Sequence, residues 1–136
     1  MDRAVPIQGV LETSLYADDL HAADRFYQRV LGLERHSLVD GRHVFFRCGH
    51  DMLLVFSARR TLDPDAGLPP HGAEGPAHVA FAIHESAIDA WRHRLLGMGV
   101  DIEAEVEWPR GGHSLYFRDP AGNSLELASP RIWGIA

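Results

Sequence analysis

Between residues 77 and 83 the chain alternates. Val79, Phe81 and Ile83 fall on one face of an extended segment, and His78, Ala80 and Ala82 fall on the other. The spacing predicts a strand with a core face and a second face carrying one imidazole among small side chains. Residues 8–16 alternate too, with Gly9, Leu11, Thr13 and Leu15 opposite Gln8, Val10, Glu12, Ser14 and Tyr16. Asp18-Asp19 offers an N-cap to a helix over 20–31, whose Leu20, Ala23, Tyr27, Val30 and Leu31 share a face beside Phe26. Gly32 fits the C-terminal position of that helix. Strands are predicted over 33–39, 42–48 and 52–56. The Asp40-Gly41 pair makes a hairpin of the first two, and Val44 and Phe46 share a face of the second.

The pattern then breaks over 58–76, around Leu68-Pro69-Pro70-His71-Gly72-Ala73. A loop this long inside a compact domain is usually a functional lid or a linker, and its position at mid-chain suits both. The second half repeats the plan of the first. The strand at 77–83 leads to a helix over 85–98 with Ile88, Trp91, Leu95 and Leu96 as its apolar face. Strands over 100–106, 113–118 and 124–128 follow, the last two joined by the dense turn Asp119-Pro120-Ala121-Gly122-Asn123. The reading is one domain over 1–136, with modules at about 8–57 and 77–128, a linker at 58–76 and a tail at 129–136.

The two halves match beyond pattern. Val30-Leu31-Gly32 lies opposite Leu95-Leu96-Gly97, Phe26 opposite Trp91, and Phe45-Phe46-Arg47 opposite Tyr116-Phe117-Arg118. With one-residue slips in the turns, Glu12 aligns with His78 and Leu54 with Glu126. Face parity sets Glu12, His78 and Glu126 on the side of their strands away from the helices. If pseudo-symmetry brings those strands together, two carboxylates and an imidazole converge. Such a set suits a divalent ion (Fe(II), Mn, Ni, Zn or Mg), because two carboxylates in a cleft repel each other without one. The alternative is a solvated cleft in which both glutamates stay wet and His78 only hydrogen-bonds. The same parity assigns Phe45, Arg47, Met52, Leu54, Phe56, Ser114 and Tyr116 to a small-molecule pocket, with His71 able to swing in on its loop. Tyr116 is a candidate hydrogen-bond donor or general acid, and Glu12 or Glu126 a candidate base.

Composition narrows the function classes. The chain has 136 residues, 46% hydrophobic and 24% charged, as globular domains do. A net charge of -6 without a basic run excludes a nucleic-acid surface, and no apolar run is long enough for a membrane span. One cysteine, Cys48, excludes an internal disulfide and, with no signal-peptide pattern at the start, leads to the expectation of a cytoplasmic protein.

Three stretches carry a resemblance. They are Leu11-Glu12-Thr13 with Asp19-Leu20, Phe26-Tyr27 and Val30-Leu31-Gly32-Leu33; Gly75-Pro76-Ala77-His78-Val79-Ala80-Phe81; and Tyr116-Phe117-Arg118-Asp119-Pro120-Ala121-Gly122-Asn123-Ser124-Leu125-Glu126-Leu127. Together they resemble the vicinal oxygen chelate superfamily of glyoxalases, extradiol dioxygenases, fosfomycin-resistance thioltransferases, methylmalonyl-CoA epimerases and bleomycin-binding proteins. The resemblance implies an α+β fold in which two pseudo-symmetric βαβββ modules form a half-open barrel around a metal. It implies Glu12, His78 and Glu126 as ligands and a small substrate bound through vicinal oxygens, for lyase, isomerase or dioxygenase chemistry. It also implies a homodimer, in which modules are sometimes exchanged. Leu54 stands where glyoxalases and epimerases have a fourth ligand, and Glu12 departs from the first-strand His of the three-ligand enzymes. Both departures keep open a metal-free binding protein of the bleomycin-resistance type.

Overall fold

Each half of the chain supplies one strand, one helix and three more strands, and each half folds into its own four-stranded sheet. The computed structural model describes residues 5–135. The first half contains β1 (Glu12–Tyr16), α1 (Leu20–Arg29), β2 (Glu34–Val39), β3 (His43–Cys48) and β4 (Asp51–Phe56). A single-turn helix, α2 (Ala58–Thr61), opens the connecting segment. The second half contains β5 (His78–Ala82), α3 (Ile88–Gly97), β6 (Ala104–Glu107), β7 (His113–Arg118) and β8 (Ser124–Ala128). The strand orders are β1-β4-β3-β2 and β5-β8-β7-β6, so the pseudo-repeat holds in topology. Strands β1 and β4 are parallel, as are β5 and β8; all other pairs are antiparallel. Among the described residues these are two separate sheets, with no closed barrel.

One core joins the halves. Asp19 caps α1 by accepting from the Ala22 amide at 3.0 Å, and Gly32 adopts a positive φ of 69° that lets the chain leave the helix. The buried face of α1, with Leu20, Ala23 and Tyr27, packs with Leu15, Val44, Phe46, Leu53 and Val55 of its own sheet. The same cluster takes in Leu95, Leu115, Phe117, Leu125 and Leu127 of the second half. Each of the larger side chains contributes about 1.5–3 kcal/mol on burial. A polar clamp crosses the seam. Tyr27 Oη donates to Asp119 Oδ2 at 2.7 Å, and Asn123 Nδ2 donates to the same oxygen at 2.9 Å and to the Tyr16 carbonyl at 3.2 Å. Burial and the Asp119 carboxylate hold the Tyr27 phenol protonated at any working pH. The 119–123 turn is therefore an inter-module latch as well as a turn.

Because the strands alternate, the faces that turn away from this core carry Glu12 and Ser14 on one sheet and His78, Ala80 and Ala82 on the other, all exposed. Several expectations change in detail. The first strand begins at Glu12, and Val10 and Leu11 lie outside it, exposed. The predicted second helix starts as a 3₁₀ turn (Glu85–Ala87), and of its expected apolar face Leu95 is buried while Leu96 is 57% exposed. Ile88, Trp91 and Leu95 form one stripe; Leu96 lies a residue, about 100°, round the helix from it. The strand expected from 100 begins at Ala104, because the Val100 amide still bonds back to the Leu95 carbonyl at 2.9 Å.

Candidate metal centre

The register of the second sheet builds the site. Parallel pairing sets Ala80 beside Glu126 and His78 beside Ser124, and β7 sets Tyr116 on the other side of Glu126. His78 Nδ1 lies 2.9 Å from the Ser124 carbonyl oxygen. A carbonyl only accepts, so Nδ1 carries a proton, and in the neutral ring Nε2 presents a lone pair. That nitrogen stands 3.3 Å from Glu126 Oε1. The Glu126 carboxylate is 6% exposed, and its other oxygen accepts from Ser114 Oγ at 2.6 Å; Ser114 Oγ accepts in turn from Trp108 Nε1 at 2.9 Å. Tyr116 stacks beside His78 with ring centroids 6.3 Å apart. Burial, then the Glu126 charge, pushes the Tyr116 phenol up, so it remains a proton donor.

This donor pair fits a divalent ion. Nε2 and Oε1 face each other with lone pairs, which only a cation or a second ring proton reconciles. Donors bound at about 2.1 Å stand roughly 3.0–3.4 Å apart at neighbouring corners of an octahedral or tetrahedral shell, and the observed gap lies in that range. The far ring nitrogen is fixed by a backbone carbonyl and the far carboxylate oxygen by a hydroxyl, as outer-shell partners of metal ligands are. Within one chain the set stops at two: among the described residues no group of three or more His, Cys, Asp or Glu is arranged to hold a metal.

Glu12 lies on the first sheet. There Glu12 pairs with Met52 as His78 pairs with Ser124, and Leu54 pairs with Ser14 and Phe45 as Glu126 pairs with Ala80 and Tyr116. Leu54 thus occupies the position equivalent to Glu126. Glu12, Phe45, Leu54, Phe56 and His71 line a cavity of about 370 Å³. The connecting segment roofs it: the His71 amide bonds to the Thr61 carbonyl at 3.0 Å, and the Tyr16 hydroxyl meets His71 Nδ1 at 2.6 Å. Arg47 and Met52 share this face but lie outside the cavity lining, and Arg47 sits 3.9 Å from Glu34 at the surface. Ser114 and Tyr116 stand on the Glu126 side. Sequence reasoning did not reach Arg42 and Arg60, which also line the cavity, or the role of Trp108. Tyr16 was within reach, since it shares a face with Glu12 and Ser14.

Residues 9–127 match the family model of the glyoxalase/bleomycin resistance protein/dioxygenase superfamily. The chain belongs to this superfamily. Within it, the chain is 30% identical over 125 residues to the metallothiol transferase FosB of Shouchella clausii (strain KSM-K16), covering 89% of this chain and 80% of that protein. This superfamily member also matches the crystal structure of lactoylglutathione lyase from Agrobacterium tumefaciens, with 41% identity and a TM-score of 0.93 over 96% of this chain and 100% of that one. The fosfomycin resistance protein FosX of Listeria monocytogenes shares the fold, with a TM-score of 0.69 and 21% identity over 90% of this chain and 91% of that one. No helix among the described residues is long and apolar enough to cross a membrane.

Proposed function

We propose that the chain is a metal-dependent enzyme acting on a small substrate held through vicinal oxygens, with His78, Glu126 and Glu12 as the protein donors. The observation that carries this reading is the pinned imidazole, with Nδ1 on the Ser124 carbonyl and Nε2 3.3 Å from Glu126 Oε1. The names of the metallothiol transferase and the lactoylglutathione lyase support it. Glu12 joins the pair from a second copy of the chain. Support for this comes from β1 and β5, which are both sheet edges, and from the open faces that carry Glu12 and His78.

A bound divalent ion supplies Lewis-acid stabilisation of charge developing on a substrate oxygen. The remaining work falls to the chain. Ser114 holds Glu126 Oε2, so Oε1 stays aimed at His78. The protonated Tyr116 hydroxyl donates to a substrate oxygen beside the imidazole. Glu12, exposed and with no side-chain hydrogen bond among the described residues, accepts the substrate proton. Leu54 at the Glu126-equivalent position supports a three-donor site over the four-donor glyoxalase arrangement, and so favours dioxygenase or thiol-transfer chemistry. A metal-free binding protein is the second reading, favoured by the roofed cavity and by the two-donor count within one chain.

Metal analysis on protein purified without a His-tag separates the two. About one ion per chain, lost in Glu126→Gln and in Glu12→Gln, is the expected result. No ion after reconstitution with Fe(II), Mn, Ni and Zn would overturn the enzyme reading.

A further inference from the structure

The cavity on the first sheet has a charge character that the metal centre does not use. Arg42 and Arg60 both line it, and among the described residues neither is within 4.0 Å of a carboxylate. Arg42 is half-buried and pre-aimed. It donates to His43 Nδ1, and its guanidinium lies 6.0 Å from the Phe56 ring centroid. The His43 ring it touches stacks on Phe45 at 3.8 Å between centroids, so the cation, the imidazole and both aromatic walls form one assembly. His71 stands on the same wall, its Nδ1 2.6 Å from the Tyr16 hydroxyl. Against these donors stands one lining carboxylate, Glu12. Apart from Thr61, whose hydroxyl is turned to the Ser57 and Ala58 carbonyls, the remaining walls are apolar or aromatic, with Phe45, Leu54, Phe56, Leu68 and Pro69.

We propose that this cavity binds a small organic anion, a carboxylate or phosphonate on a flat apolar body, with Arg42 and Arg60 on the charged end and Phe45 and Phe56 on the body. Guanidinium pairs recognise planar or tetrahedral oxyanions by paired N–H donors, and a cavity of few, converging polar groups in an apolar wall is the usual form of a ligand site. The volume of about 370 Å³ equals roughly a dozen water volumes, which leaves room for a phenyl ring with its acid group and for further substituents. Assigning that anion as substrate rests on the function proposed above, through Glu12, which belongs to both. The binding is testable apart from it.

The experiment is isothermal titration of the protein as purified with phenylphosphonate and benzoate, against benzyl alcohol and benzylamine as neutral and cationic counterparts. Saturable binding of the anions is expected, with benzyl alcohol at least about 10-fold weaker and benzylamine weaker still. Arg42→Gln and Arg60→Gln should each weaken the anions by about 10-fold and leave benzyl alcohol unchanged. Arg42→Lys serves in place of Arg42→Gln if circular dichroism shows the latter misfolded. Full anion affinity in the double variant, no saturable anion binding, or benzylamine binding as tightly as phenylphosphonate would each overturn the proposal. Repeating the titration on Glu126→Gln and after chelation separates the two readings. Anion binding lost there but kept in the arginine variants places the ligand on the metal, which sinks the cavity site and leaves the enzyme standing. Anion binding that survives in a chain that takes up no metal does the reverse.

Discussion

Ser114 Oγ donates to Glu126 Oε2 at 2.6 Å, and both side chains are buried. The bond fixes which carboxylate oxygen is left for His78. Removing it in Ser114→Ala leaves a buried carboxylate oxygen without its donor, at a cost of about 1–3 kcal/mol. Metal affinity should fall about 10- to 100-fold, the usual effect of losing an outer-shell partner. Denaturant melts and metal titration on the variant check both numbers. Trp108→Phe, which removes only the bond behind it, should cost about 0.5–1.5 kcal/mol.

The inter-module latch makes a graded prediction. Tyr27→Phe removes one donor from Asp119 Oδ2 but leaves Asn123 in place, so the expected loss is about 1–2 kcal/mol. Asp119→Ala also strips the acceptor from the Ala121 and Asn123 amides, and about 3–5 kcal/mol should go. Urea unfolding of the pair would show equal losses if the latch were only a surface turn.

His43 links stability to pH. Burial, then the Arg42 charge, holds its imidazole below the ordinary value of 6.5. The unfolded chain thus binds this proton more readily than the folded one. The stabilisation is complete above about pH 6.5 and is lost as the pH falls from there through the folded-state value. Melting temperatures at pH 7.5 and 5.5 should diverge in the native protein. In His43→Gln part of that difference should disappear.

The roof of the cavity depends on one small residue. A Cβ added at Gly72 would lie 2.6 Å from Leu62 Cγ, although the backbone there is ordinary. Gly72→Ala must push Leu62 and the roof segment apart, at about 1–3 kcal/mol. Limited proteolysis should then cut faster between residues 58 and 76, with the sheets intact.

Much of this was legible in the alternation of the strands. Leu15, Val44, Phe46, Leu125 and Leu127 are buried as their parity predicts, and the same parity aims His78 and Glu126 to one face. Pairing Leu54 with Glu126 needed only the internal repeat, and the registers agree with it. What escaped depends on contacts between elements distant in sequence. Arg60 reaches the cavity from a single-turn helix, and Arg42 is aimed by a ring stacked on Phe45. Leu96 escaped for a different reason: two adjacent leucines on a helix cannot both face a narrow core stripe. Asp24, on the buried side of α1, is satisfied by Gln28 and Arg35, and local pattern gave no sign of that either.

The shared core faces the helices, and the open faces carry the proposed metal donors. Along β8, Leu125 and Leu127 fill the core, while the Ser124 carbonyl and the Glu126 carboxylate meet His78 on the open side. The two demands interleave at single-residue spacing without competing for a position. A lineage built this way can exchange one set of reactive side chains for another without relearning how to fold.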